Sequence, residues 1–175
     1  MTAVRQLERP YTAEDLANTP DDGRRYEVIG GELVVSPAPS TKHQRVSIRL
    51  SRLFADYLER SRSGEVFAAP LDVFLGTHDI VQPDLVVVLQ QHANRVTDAG
   101  IDGAPDIVIE ITSPSSQRID RIRKSATYAT FGVPEYWIVD PDTETILVQT
   151  LVDGRYQPSE SRDGSSVFGT TQTEV

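Results

Sequence analysis

Two short runs of aliphatic residues constrain the fold of this chain more than any other feature. They cover 84–89 and 106–111, and each starts with an aspartate that follows a proline. Behind that aspartate, every residue except Glu110 is valine, leucine or isoleucine. Strands that are apolar on both faces are typical of the middle of a sheet that is covered on both sides. The two runs therefore predict a pair of central strands.

Other periodic segments predict the elements around this pair. Gly30 and Gly31 separate 26–29 from 32–35 and predict a β-hairpin, because glycine readily adopts the positive φ angles of a two-residue turn. Apolar residues recur every three or four positions over 46–57 and predict an amphipathic helix. Further strands are predicted at 65–69, 71–75, 136–139 and 145–151, with a second helix over 115–131 that ends before Gly132.

This order of helices and strands predicts an α+β or mixed α/β fold with a central mixed β-sheet flanked by helices. The chain has 175 residues, which is the length of one ordinary domain. We expect that domain to cover 1–157. The remainder, 158–175, is rich in Ser, Thr, Gly and acids and is expected to form a polar tail or an edge extension.

The composition limits the chemistry that this chain can perform. Cysteine is absent, which excludes disulfides, thiolate zinc sites and cysteine nucleophiles. The histidines, His43, His78 and His92, are widely spaced, so a histidine-rich metal site is not expected. No run reaches the roughly 18 apolar residues of a membrane span, and the N-terminal segment lacks the apolar core of a signal peptide. We expect a cytoplasmic protein without a membrane partner.

The charge is acidic overall but unevenly distributed. The formal net charge of −9 argues against bulk, non-specific attraction to nucleic acid. Positive charge nevertheless collects in 42–52, which contains no acid, and in 116–124, which has a net charge of +3. The first stretch is either a solvated helix face or a phosphate-contacting surface. Its candidate phosphate contacts are Arg45 and Arg49, and Arg121 is the candidate in the second stretch.

The acids of the two central runs are candidate metal ligands. A metal that cleaves phosphodiesters needs hard oxygen ligands, often two carboxylates and a carbonyl. If the two strands pair antiparallel, Asp84 at the start of one becomes a neighbour of Glu110 near the end of the other. Asp106 would lie roughly 13 Å from Glu110 along its own strand, too far to share an ion. Glu110 itself is either such a ligand or a buried acid paired with an arginine.

The helix predicted over 115–131 is the candidate source of a cation for phosphodiester cleavage. A cation beside two carboxylates can stabilise charge on a phosphate. Asp120 and Lys124 are four residues apart on this helix, and a simple surface ion pair also explains that spacing. The spacing does not determine which cation points inward.

Longer motifs resemble a known family. Pro83-Asp84, the segment EITSPS over 110–115 and the segment GVPEYWIVD over 132–140 resemble the Uma-type restriction-endonuclease-like family. That family belongs to the PD-(D/E)xK nuclease superfamily and was formerly a domain of unknown function. The N-terminal half agrees with the family pattern at Tyr26-Glu27, 31–33, 36–40 and His43-Gln44, so that the resemblance covers about 10–152.

The resemblance implies a restriction-endonuclease-like core and a Mg²⁺- or Mn²⁺-dependent endonuclease that hydrolyses DNA. It also implies that the backbone carbonyl of Ile111 joins Asp84 and Glu110 as a metal ligand. The lysine that the superfamily carries two positions after the acid is Thr112 here, and the family's lysine is Lys124. The resemblance thus gives Asp84, Glu110 and Lys124 as catalytic residues. Asp120 and Tyr128 are implied as supports, and Glu27 and His43 match motif positions for which packing or hydrogen bonding is expected.

Two other functions remain open at this stage. The acidic charge favours a non-catalytic member that uses the same fold as a binding or assembly module. Two carboxylates also permit sugar hydrolysis, but one Trp and 7% aromatic residues offer little surface for stacking sugars. A homodimer is expected if the enzyme cuts both strands of a duplex, because two single-site subunits are then related by a two-fold axis.

Overall fold

The computed structural model describes residues 8–112 and 119–163, with side chains for 8–112 and 122–158. Within these residues the chain forms three α-helices and two six-stranded mixed sheets. The helices are α1 (Ala13–Leu16), α2 (Thr41–Ser61) and α3 (Ile119–Thr130), and a 3-10 helix covers Gln90–Arg95. The α+β class and the mixed sheet flanked by helices are confirmed.

The two sheets differ in the length of their strands. The large sheet has the order β12 (Arg155–Asp163), β11 (Thr145–Val152), β10 (Glu135–Asp140), β9 (Ile107–Ile111), β6 (Leu85–Leu89), β3 (Gly64–Ala68). The small sheet has the order β2 (Glu32–Ser36), β1 (Arg25–Ile29), β5 (Asp79–Val81), β4 (Val73–Gly76), β8 (Gly100–Asp102), β7 (Val96–Thr97).

The two apolar runs form the centre of the large sheet, as their composition predicts. Strands β6 and β9 pair antiparallel, with Leu85 opposite Ile109 and Val87 opposite Ile107. One face of the sheet packs on α2 through residues such as Leu50. Its other face packs on the small sheet and α3, where Tyr128 is fully buried. Both faces of β6 and β9 are therefore covered, which explains why these strands do not alternate apolar with polar residues.

The predicted hairpin and the helix predicted over 46–57, which is α2, are also confirmed. Strands β1 and β2 pair antiparallel up to Ile29 and Glu32, and Gly30 and Gly31 form the turn with φ angles of 58° and 76°. The side chain of Ser40 accepts a hydrogen bond from the His43 amide and caps α2. This cap determines where α2 begins.

Several elements differ from the sequence prediction. Strands β5, β7 and β8 have two or three residues each, which is too few to produce a readable periodicity. Because these strands were not predicted, the small sheet was not predicted as a separate sheet. The helix predicted from 115 is described from Ile119, because 113–118 lie outside the described residues. Strand β12 continues through 157 and forms one edge of the large sheet. No helix in the described parts of the chain is long and apolar enough to cross a membrane.

Candidate active site

The pairing of β6 and β9 brings two acids together at one end of the central strands. Leu85 lies opposite Ile109, so the next position outward places Asp84 opposite Glu110. The Ile111 amide donates a hydrogen bond of 2.7 Å to Asp84 Oδ2, which fixes the aspartate against the neighbouring strand. Asp84 and Glu110 are therefore neighbours on adjacent strands, as predicted.

Asp84 is held as a buried anion by groups from three other elements. Its side chain is 3% exposed, and Arg25 of β1 donates to Oδ1 at 2.7 Å. A hydrogen bond of 3.0 Å joins Oδ2 to His43 Nε2 on α2. Burial alone would raise the pKa of Asp84, but the His43 hydrogen bond and the charge of Arg25 outweigh it and lower that pKa to about 2. Asp84 is therefore ionised at neutral pH.

Glu110 has a different environment from Asp84. Its Oε1 atom accepts hydrogen bonds from Lys124 Nζ at 3.0 Å and from the Tyr128 hydroxyl at 2.6 Å. Burial raises the pKa of Glu110, and the negative charge of Asp84 adds to that rise while Lys124 opposes it. Among the described residues no donor contacts the second oxygen, Oε2.

Lys124 lies between two carboxylates. Its ammonium is 2.9 Å from Glu27 Oε1 and 3.0 Å from Glu110 Oε1, and its side chain is only 9% exposed. Burial would lower the pKa of Lys124, but the charges of Glu110 and Glu27 outweigh it and raise that pKa. The protonated, cationic form of Lys124 is therefore the favoured form in this site.

Glu27 reaches the site from the small sheet. It is 1% exposed, and its Oε1 also accepts a hydrogen bond of 2.8 Å from the Gln82 amide. Its Oε2 is buried without a hydrogen-bond partner among the described residues. The site thus contains three carboxylates and two cations, contributed by both sheets and by α3.

Comparison with family models assigns the sequence to a family. The sequence profile of the Uma2 family, described as "Putative restriction endonuclease", matches residues 13–172. The chain belongs to the Uma2 family. The resemblance read from the motifs is confirmed by this match.

A solved structure agrees with the fold. The crystal structure of a "putative nuclease belonging to DUF820" from Anabaena variabilis superimposes with a TM-score of 0.72. The two sequences are 23% identical, and the match covers 88% of this chain and 85% of the other. At this identity the likeness concerns the fold alone. A search among curated proteins finds no match.

The Uma2 match assigns no role to any single residue, so the predicted site residues are compared with the geometry. Asp84, Glu110, Lys124 and Tyr128 come together as the resemblance implies, and Glu27 and His43 join them. The predicted partner of Lys124, Asp120, has a side chain outside the described residues, as has Arg121. The partners that the structure describes for Lys124 are Glu27 and Glu110. On α2, Arg45 is exposed and Arg49 is half-buried.

One residue of this Uma2 site was missed by the sequence reasoning. Arg25 pairs with Asp84 across 59 residues of chain, a distance at which no spacing rule operates. The available signal was alternation, because Arg25 and Glu27 are two positions apart on β1 and so share one face of the strand. That face directs a cation to Asp84 and an anion to Lys124.

The site offers the oxygen ligands that a hard divalent cation prefers, but both oxygens of Asp84 accept hydrogen bonds here, from Arg25, His43 and the Ile111 amide. Two carboxylates and a backbone carbonyl are ligands that suit Mg²⁺ or Mn²⁺, and Mg²⁺ usually retains several waters. Glu110 Oε2 has no donor among the described residues, which leaves this oxygen available to a cation. No group of three His, Asp or Glu side chains within the described ranges is arranged to hold a metal ion. A metal ion held by Asp84 and Glu110 would take its remaining ligands from backbone oxygen, such as the Ile111 carbonyl, and from water.

Proposed function

We propose that this Uma2 protein is a divalent-metal-dependent endonuclease that hydrolyses phosphodiester bonds of DNA. One observation carries the proposal: two carboxylates on adjacent central strands, Asp84 and Glu110, lie beside a buried ammonium that is 3.0 Å from Glu110. This is the donor set that metal-assisted phosphodiester cleavage requires. The family description supports a nuclease, and the metal and the DNA substrate are our proposal.

Each residue has a distinct part in the proposed reaction. Asp84, Glu110 and the carbonyl of Ile111 would hold Mg²⁺ or Mn²⁺, which when bound supplies Lewis-acid polarisation of the scissile phosphate. Lys124 remains protonated and stabilises negative charge that develops on the phosphate oxygens. Arg25 stabilises the ionised form of Asp84, which is the form that a metal ion binds.

The charge of α2 supports a nucleic-acid substrate. The helix carries Lys42, Arg45, Arg49 and Arg52 before its first acid, and His43 near its N-terminal end contacts Asp84. A basic stripe that starts beside the carboxylates can hold a polyanion across them. A homodimer would add a second site for the other strand of a duplex, and we include it in the proposal.

The decisive experiment is nicking of supercoiled plasmid DNA by the purified chain. We expect nicking with Mg²⁺ or Mn²⁺ and none with EDTA. Asp84→Asn and Lys124→Met should abolish it, whereas Asp106→Asn, which alters a buried aspartate outside the site, should retain it.

Two results would contradict the proposal. One is wild-type protein that neither binds Mn²⁺ nor cuts DNA or RNA, and this result would favour a binding or assembly module. The other is cleavage that survives Asp84→Asn in a folded variant. Cleavage of RNA alone would retain the reaction and overturn the choice of DNA.

A further inference from the structure

The position of Lys124 on a helix raises a problem of orientation. A lysine two residues after Glu110 would directly follow β9 and be held close to the strand, but Thr112 occupies that position. Lys124 instead extends from α3 on four methylenes, and such a side chain loses about 2 kcal/mol of rotamer entropy when it is fixed. A contact with Glu110 alone leaves the ammonium free to swing around one oxygen atom.

A second carboxylate from another sheet restricts that motion. Glu27 Oε1 lies 2.9 Å from the Lys124 ammonium, on an atom that also accepts the Gln82 amide at 2.8 Å. The Gln82 side chain in turn donates to Asp72 Oδ1 at 2.8 Å. Glu27 is thus anchored by a backbone donor whose own residue is tied to a neighbouring loop.

The cost of burying Glu27 indicates that this contact has a purpose beyond packing. Glu27 is 1% exposed, and its Oε2 has no partner among the described residues. An unpaired buried carboxylate oxygen is destabilising. A residue that served the core alone would be better replaced by an apolar side chain of similar volume.

We propose that Glu27 is a positioning residue that holds the Lys124 ammonium against Glu110, so that α3 can supply the cation which the strand position of Thr112 lacks. The catalytic consequence rests on the proposed nuclease function, whereas the positioning of Lys124 does not. Glu27 acts through Lys124 and is not itself a metal ligand.

The chain offers a direct spectroscopic test, because Lys42 and Lys124 are its two lysines. In protein labelled with ¹⁵N-lysine, the ammonium of a buried, ion-paired lysine gives a sharp ¹H–¹⁵N signal. The ammonium of Lys42, whose side chain is 55% exposed, exchanges its protons rapidly with water. The signal of Lys124 can therefore be assigned by its loss in Lys124→Met.

The test variant is Glu27→Gln, which retains the length of the side chain and an acceptor for the Gln82 amide. The matched control is Glu32→Gln, on the same hairpin. It removes the 2.6 Å ion pair between Glu32 and Arg123, the residue that precedes Lys124 on α3. We expect Glu27→Gln to broaden or shift the Lys124 signal and to lower kcat by about 10- to 100-fold, the usual effect of losing an outer partner of a site. Glu32→Gln should change neither, and Mn²⁺ affinity should be unaffected in both.

Three results would overturn the inference. An unchanged Lys124 signal in folded Glu27→Gln would show that Glu110 suffices to hold the lysine. An altered signal with unchanged kcat would reduce Glu27 to a structural role. A large loss of Mn²⁺ affinity, measured by calorimetry, would make Glu27 a ligand instead.

A second variant covers the case in which Glu27→Gln does not fold. Glu27→Asp retains the charge but withdraws it by one methylene, so we expect its Lys124 signal to be shifted or broadened and its kcat to be lower than in wild type. A wild-type signal and a wild-type kcat in folded Glu27→Asp would contradict the inference. If wild-type protein cuts no nucleic acid, the nuclease proposal fails while the ammonium signal still decides whether Glu27 positions Lys124.

Discussion

The two ends of the β6–β9 strand pair carry aspartates with nearly the same immediate partners. Asp84 and Asp106 both follow proline, and they are 3% and 6% exposed. Asp106 accepts the Leu89 amide and a hydrogen bond from His92 Nδ1, each at 2.8 Å. Asp84 likewise accepts a backbone amide and contacts a histidine. Burial, a histidine and a backbone donor therefore do not distinguish the carboxylate of the proposed site from a structural one.

The difference lies in the further charges that converge on Asp84. Arg25 lies against it, and Glu110, Glu27 and Lys124 complete a buried cluster of both signs. At Asp106 the partner is His92, with a side chain that is 32% exposed. A cluster that collects charges from several elements at a cost in desolvation is better explained by function than a single buried pair is.

The largest effect should come from removing the cation of the Asp84 end. Lys124→Met leaves Glu27 and Glu110 buried without their ammonium, which should lower the free energy of unfolding by about 3–5 kcal/mol. Lys42→Met removes an exposed pair with Asp142 and should cost about 0–1 kcal/mol. Urea unfolding of both variants measures the difference. Equal losses would mean that the buried cluster is not what sets the Asp84 end apart.

A metal ion should stabilise the protein through the Asp84 end alone. At a Mn²⁺ concentration of 100 times Kd, the expected gain is about 2.7 kcal/mol, which raises the Tm. Asp84→Asn should abolish that gain, and Asp106→Asn should preserve it. A thermal melt with and without Mn²⁺ measures both variants. Loss of the Mn²⁺ effect in Asp106→Asn would contradict the placement of the metal site at the Asp84 end.

The pH dependence of stability should differ between the same two variants. Because the folded pKa of Asp84 is lowered to about 2 from its usual 3.8, its ionised form contributes stability above pH 4 that is lost as the pH falls toward 2. This contribution amounts to about 2 kcal/mol. Asp84→Asn should therefore flatten the fall in unfolding free energy between pH 4 and pH 2. If its curve stays parallel to that of wild type, the aspartate is not held as a stabilised anion.

The smallest effect is expected at the solvent-facing partner of Asp106. His92→Ala removes one hydrogen bond while the Leu89 amide remains, so it should cost about 0.5–1.5 kcal/mol. The variant should retain nicking activity and the Mn²⁺-induced rise in Tm. His43→Ala is the counterpart at Asp84 and should lower Mn²⁺ affinity; a larger loss of affinity in His92→Ala would reverse the distinction between the two ends.

Much of this fold could be predicted from local patterns in the sequence. The aliphatic runs predicted β6 and β9 as central strands, and the glycine pair predicted the turn of the first hairpin, because these signals reside in a few consecutive residues. Antiparallel pairing then predicted that Asp84 and Glu110 are neighbours. Asp106 was correctly separated from Glu110 by the rise of a strand.

The rest of the site depends on contacts that no local pattern records. The small sheet is built from strands too short to show a period, so the approach of Arg25 and Glu27 to the large sheet could not be predicted. Motif resemblance supplied Lys124, but spacing alone favoured a surface pair with Asp120. The second carboxylate on Lys124 became visible only when β1 and α3 were placed beside each other.

Within the described residues, strand β12 lies at one edge of the large sheet, and such a strand bears on aggregation. An edge strand offers unpaired backbone groups on which a foreign strand can extend the sheet, the first step toward fibrous aggregation. Here β12 contains Pro158, which has no amide hydrogen and is typical of edge strands, and its pairing with β11 has a bulge at Val148 and Gln149. The longest of the described strands thus carries two features that disfavour strand addition, and replacing Pro158 by a β-branched residue would remove one of them.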